Sequence, residues 1–215
     1  MTKKKVKEIL MLLDEHYGAE AVCYLDYETP WQLLFATILS AQCTDARVNI
    51  VTKDLFAKYP TLRLFATAEL SDIEIIIKPT GFFRAKAKNL LTSAQMLIAE
   101  FGGEMPKEIE DLTRLAGVGR KTANVVRGHI FSEPCVVVDT HVKRVSNKLG
   151  LVNSQNPEKI EQDLMRTLPK QNWVRFNTQA IAHGRAICKA PTPRCVQCFL
   201  TAHCRTYVSK GQVNL

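Results

Sequence analysis

The chain has 215 residues, 46% hydrophobic and 23% charged, which excludes general disorder and allows one large domain or two small ones with a real core. Its 29 Lys and Arg against 21 Asp and Glu give a net charge of +8 and a pI near 9.2, a balance that suits a polyanionic partner such as nucleic acid. No run of 18 apolar residues occurs and Met1-Thr2-Lys3-Lys4-Lys5 lacks the apolar core of a secretion signal, so no membrane span and a reducing, cytoplasmic compartment are expected.

Nearly every segment reads as helix. Val6, Ile9, Leu10 and Leu13 have helical spacing. Thr29-Pro30 is a cap with proline at the first helical position, and Trp31, Leu34, Phe35, Ile38 and Leu39 follow in a helix apolar almost all round, hence central and buried. Thr44 and Asp45 start another, carrying Val48, Val51, Leu55 and Phe56. Ser71-Asp72-Ile73-Glu74 matches a capping box. Residues 82–101 form a long amphipathic helix that Gly102-Gly103 stops. Asn156-Pro157 opens a helix with Ile160, Leu164 and Leu168, and residues 172–188 make the last. Val136-Val137-Val138 is the only strand-like run, too short to build a sheet, so the fold class is all-α.

One stretch concentrates chemistry. Leu115-Ala116-Gly117-Val118-Gly119-Arg120-Lys121-Thr122-Ala123 lies between two helical patterns as a Gly-x-Gly hairpin. The glycines let the backbone turn tightly and approach a ligand closely. The helix starting at about Gly119 has unpaired N–H groups that favour phosphate. Lys121 on its first turn sits where its charge is disfavoured, one way to make an amine nucleophilic. A plain αα-turn with a solvated lysine is the plainer alternative. A P-loop is ruled out, because Arg120 separates Gly119 from Lys121 and a helix precedes the turn. Asp139 ends an apolar run, where a lone carboxylate needs either a chemical task or a helix to cap, and the two are compatible.

Of seven cysteines, Cys23, Cys43 and Cys135 lie among apolar residues and read as core thiols. Cys188, Cys195, Cys198 and Cys204, spaced x6, x2 and x5, form a metal motif. Spacing leaves zinc and a [4Fe–4S] cluster both open, and His203 beside Cys204 is expected to face solvent rather than to ligate. The stiff loop from Lys189 to Arg194 either presents those two cations to phosphates or carries them as solvated charges.

Together these residues resemble the endonuclease III family of DNA glycosylases. The match runs through Leu39-Ser40-Ala41-Gln42-Cys43-Thr44-Asp45, Leu115 to Ala123, Val138-Asp139-Thr140-His141-Val142, His183-Gly184-Arg185 and the four spaced cysteines. The resemblance implies a helix-hairpin-helix glycosylase fold: a six-helix barrel domain over residues 23–133 with the hairpin at about 108–131, and an iron–sulfur cluster domain of residues 1–22 and 134–215, with a DNA groove between them. It implies a [4Fe–4S] cluster on the four cysteines, Lys121 as nucleophile and Asp139 as catalytic aspartate. Gln42 would fill the hole left by an extruded nucleotide and Phe82 would be the wedge, a position where many relatives carry another large apolar residue. Gly117, Val118, Gly119 and Arg120 would hold backbone phosphate. Ala116 departs from the proline that many relatives have there, which loosens the hairpin without removing its donors.

The activity so implied is that of a bifunctional base-excision-repair glycosylase and abasic-site lyase. It would remove oxidised pyrimidines such as thymine glycol through a lysine Schiff base and β-elimination. The expected partner is double-stranded DNA, the state a monomer, the location cytoplasmic and nucleoid-associated if bacterial. The alternatives are a mismatch glycosylase that only removes a base and a non-enzymatic helix-hairpin-helix DNA-binding protein. An adenine glycosylase is disfavoured by Lys121 and by the absence of a further C-terminal domain after Leu215.

Overall fold

A computed structural model describes residues 2–209. It is helical throughout, with no β-strand among the described residues. The chain divides into two compact units, one made of Met1–Val22 and Pro134–Leu215, the other of Cys23–Glu133. Residues 210–215 of the expected cluster domain lie outside the described residues.

The unit Cys23–Glu133 is built around helix α2 (Pro30–Leu39), in which every residue from Trp31 to Leu39 is buried. It starts as the sequence predicts, with Pro30 at its first position and the Gln32 side chain accepting from the Thr29 N–H. Trp31 packs edge-on to Phe35 and Phe56, and Phe35 stacks at a tilt on Phe65. Each such side chain contributes about 1.5–3 kcal/mol by leaving water. On α2 pack α3 (Asp45–Lys58), α6 (Phe83–Phe101) and α8 (Arg120–Ile130), while α4 (Leu62–Ala66) and α5 (Leu70–Ile77) pack on α6 and α7 (Ile109–Arg114) packs on α8. Thr44 caps α3 by accepting from the Arg47 N–H. The capping box expected at Ser71 does not form: α5 begins two residues earlier, with Glu69 in the cap position and Ser71 inside the first turn. The long helix begins at Phe83, because Phe82 adopts a left-handed conformation.

Within the unit Met1–Val22 and Pro134–Leu215, α1 (Lys3–Tyr17) buries Val6, Ile9, Leu10 and Leu13. It packs on α11 (Trp173–Ala186), which also packs on α9 (Thr140–Leu149). α9 and α11 approach closely at Gly184, where a Cβ would stand 2.7 Å from His141 Nδ1. Asn156 caps α10 (Pro157–Thr167), accepting from two amides. The Val136–Val138 run forms no strand. After α11 the chain makes short 3₁₀ turns at Cys195–Gln197 and Thr201–His203, then α12 (Arg205–Val208).

Candidate nucleic-acid interface and cysteine centre

The Gly-x-Gly hairpin is shaped by its own hydrogen bonds and braced by α6. Leu115 ends α7 in an extended conformation, and the Val118 N–H donates to Leu115 O at 3.1 Å. Gly117 turns the chain at φ +75°, a region side chains rarely adopt. Ser93 Oγ donates to Ala116 O at 2.8 Å, so α6 supplies an anchor where the sequence carries alanine before the turn. This corrects the expectation for Val118: its amide is spent inside the hairpin and its side chain is buried. The glycine amides flanking it, Gly117 and Gly119, have no internal acceptor among the described residues.

Gly119 caps α8, and Arg120 and Lys121 are its first two residues, both exposed. No acidic residue sits in that first turn. An amide-rich helix start with two cations is a site for an anion, and the amine of Lys121 is accessible for chemistry.

Two further exposed side chains of this unit stand on left-handed residues: Gln42 at φ 53° and Phe82 at φ 47°. Phe82 is 68% exposed, whereas Phe83 is half-buried against the core. A large aromatic held in water by the backbone is available for insertion into stacked bases. Both loops are fastened by one residue that sequence reasoning misses, Lys86, whose Nζ donates to Leu39 O, Ala41 O and Thr80 O. A signal exists: Lys86 shares a helical stripe with Leu90, Ser93 and Leu97, a position that should be apolar.

In the other unit Asp139 is the N-cap of α9, its Oδ1 accepting from the Val142 N–H at 2.7 Å. The cap fixes the carboxylate at the end of the Val136–Val138 run, a structural duty that is compatible with a chemical one. His141 follows on the first turn; burial lowers its pKa, opposed by Asp139 and aided by Arg144 and Arg185.

Cys188, Cys195, Cys198 and Cys204 all line one cavity of about 60 Å³, with Val145, Leu149 and Leu200 among its apolar walls. Backbone turns set the pairs: the Cys198 N–H donates to Cys195 O, and the Cys204 N–H to Thr201 O. Burial raises the Cys188 thiol against the pull of Lys148 and Arg144, and pushes Cys198 up to about 11. Four thiolates here therefore need a positive centre to balance them. Among the described residues no three donors close on a point suited to a single ion. The cavity, by contrast, exceeds the roughly 10–15 Å³ that one water needs. Four thiols lining one cavity make a donor set that a thiolate-bound metal centre fits, a [4Fe–4S] cluster included.

Arg144 ties this centre to α9, its Nε donating to Cys188 O at 2.9 Å and its Nη2 to Gly184 O at 3.1 Å. The Lys189–Arg194 loop is closed at its base, since the Lys189 and Arg194 amides both donate to Ile187 O. Arg194 is exposed and Lys189 half-buried. His203 does not face solvent: its ring is 19% exposed, with Nδ1 3.7 Å from Glu8 Oε2. Cys135 is a core thiol as expected, while Cys23 and Cys43 are only half-buried at the core's edge.

The model of the HhH-GPD superfamily, base excision DNA repair proteins, matches residues 35–170. The endonuclease III of Synechocystis sp. is 49% identical over 203 residues, covering 94% of this chain and 92% of that protein. The Bacillus subtilis endonuclease III is 44% identical, covering 93% of each. A solved structure of a trapped endonuclease III–DNA covalent intermediate, an estranged-adenine complex, superposes with a TM-score of 0.91 at 40% identity, covering 98% of this chain and 99% of that one. A hairpin with two glycine amides and a lysine behind it, set in this fold and these relatives, places the chain in the endonuclease III family of base excision DNA repair glycosylases.

Proposed function

We propose that this glycosylase is bifunctional, removing oxidised pyrimidines such as thymine glycol from double-stranded DNA and cleaving the abasic strand. The observation that carries this reading is the exposed amine of Lys121 on the first turn of α8, directly behind the Gly117–Gly119 hairpin. The likeness to a trapped covalent endonuclease III–DNA intermediate supports it.

The target base is inaccessible inside the stack, so the nucleotide is extruded; Phe82 wedges the opened step and Gln42 occupies the space left. The Gly117 and Gly119 amides, with Arg120, hold the adjacent phosphate. Lys121 Nζ in its neutral form attacks the sugar C1′ as the base leaves with the electrons of the glycosidic bond. The Asp139 carboxylate stabilises the positive charge developing on the sugar and accepts the proton that Lys121 loses. The C1′–O4′ bond then opens as the nitrogen lone pair forms the Schiff base, O4′ taking the proton that Asp139 holds; the Schiff base acidifies the C2′ proton, and β-elimination breaks the C3′–O bond.

Cys188, Cys195, Cys198 and Cys204 would hold a [4Fe–4S] cluster, which would serve as a structural crosslink between them, and the Lys189–Arg194 loop between the first two offers its cations to DNA phosphates. The protein acts as a monomer in the cytoplasm, associated with the nucleoid if its source is bacterial.

Borohydride trapping tests the reading on duplexes carrying thymine glycol or an abasic site, comparing wild type with Lys121→Ala. An adduct on both DNAs that the variant fails to form is expected. Wild-type protein that releases the base yet traps on neither DNA would make it a monofunctional glycosylase.

A further inference from the structure

Lys86 lies one turn after Phe82 and is 5% exposed. Its Nζ donates to Leu39 O, Ala41 O and Thr80 O, each at 2.8 Å. An ammonium has three protons to donate, and all are used. Burial lowers the pKa of the group, with the Cys43 thiol opposing. Filling the space does not require a lysine, since a methionine stem would serve without the cost of burying a charge. What the nitrogen adds is a common point for three carbonyls.

Those carbonyls belong to the two segments that carry left-handed residues. Leu39 and Ala41 lead into Gln42, and Thr80 comes two residues before Phe82. The Lys86 amide also donates to Phe82 O at 3.1 Å, so backbone and side chain of one residue hold the Phe82 loop from both ends. Residues bearing a Cβ avoid this backbone region unless their surroundings over-determine it. The three bonds supply that determination.

We propose that Lys86 is a positioning residue for duplex entry: its ammonium fixes the spacing between the Gln42 and Phe82 loops, so that both side chains enter the helix together. The proposal rests on the reading of Gln42 and Phe82 as duplex-entering residues.

The test uses the full chain and a duplex with a tetrahydrofuran abasic analogue opposite 2-aminopurine, whose fluorescence rises when the base loses its stacking. It is read at saturating protein, with circular dichroism confirming the helical fold. Lys86→Met keeps the stem and removes the three donors; its brightening should be at least threefold smaller than that of wild type, and Lys86→Arg should recover part of it. Wild-type brightening in Lys86→Met overturns the proposal. Gln42→Ala and Phe82→Ala are measured alongside. If both brighten like wild type, the reading of the loops falls and takes this proposal with it; if they dim and Lys86→Met does not, only the role of Lys86 falls. Should Lys86→Met fail to fold, Lys86→Gln replaces it, and equal brightening in Lys86→Gln and wild type overturns the proposal.

Discussion

Gly117 and Asn89 are packed so closely that a Cβ on the glycine would stand 2.6 Å from Asn89 Nδ2 and 2.9 Å from Asn89 Cβ. The hairpin is thus pressed against α6 at the residue whose φ of +75° turns the chain. Gly117→Ala meets both obstacles, a clash and a disfavoured backbone. The expected loss is about 1–3 kcal/mol of stability, with weaker DNA binding because the neighbouring amides are redirected. Asn89→Ala in the same chain removes the amide group from the clash but keeps the Cβ contact at 2.9 Å and the backbone strain, so the double variant should recover only part of the loss. Urea unfolding of the four proteins measures this; full additivity would show that the two residues do not meet.

Asp139 combines two duties that one substitution can separate. Asn is as good an N-cap as Asp, whereas Ala forfeits about 0.5–2 kcal/mol. Asp139→Asn should therefore melt close to wild type while losing base release by a factor of about 100 or more, in the range a positioned proton acceptor supplies. Asp139→Ala should lose both. If Asp139→Asn keeps wild-type single-turnover base release, the carboxylate is a cap and nothing more.

Much of the fold is legible in the sequence, and for local reasons. Thr29-Pro30, Thr44 and Asn156-Pro157 mark helix starts through bonds to their own first turns, and each sits where expected. α2 reads as central because apolar residues cover all of its sides. The failures concern choices that distant parts of the chain make. Ser71 fits a capping box as well as Glu69 precedes a helix, and nothing local tells which frame α5 takes. Val118 reads as a free donor because its acceptor, Leu115 O, depends on how the turn closes. Lys86 escapes a sequence reading because its three acceptors are backbone carbonyls, up to 47 residues away, which carry no sequence signature. The four cysteines are the opposite case: their crowding within 17 residues is itself the signal, and they do line one cavity.

That cavity leads to a prediction about composition. Protein purified without oxygen should contain about four iron and four acid-labile sulfide per chain, the content of one [4Fe–4S] cluster. Cys198→Ser removes a thiol that burial pushes up to about 11, and so one that depends on a metal for its charge. It should lose most of the iron and weaken DNA binding, while the hairpin in the other unit remains. One zinc per chain and no iron in the wild-type protein would refute the cluster.

The cations of the Lys189–Arg194 loop and of the α8 start make a separable electrostatic claim. Each phosphate that the protein no longer neutralises should flatten the slope of log affinity against log salt by about 0.9. Arg194 is exposed, with its amide tied to Ile187 O, so the loop presents the side chain without needing it for closure. Arg194→Ala should therefore flatten the slope by that single step, weaken binding evenly across DNA sequences, and leave iron content at the wild-type level. Arg120→Ala should flatten it by a similar amount and, because Arg120 stands beside Lys121, should also slow trapping. An unchanged slope in Arg194→Ala would mark that residue as a solvated charge and confine phosphate binding to the hairpin. An unchanged slope in both variants would place the DNA backbone on other cations of this basic chain.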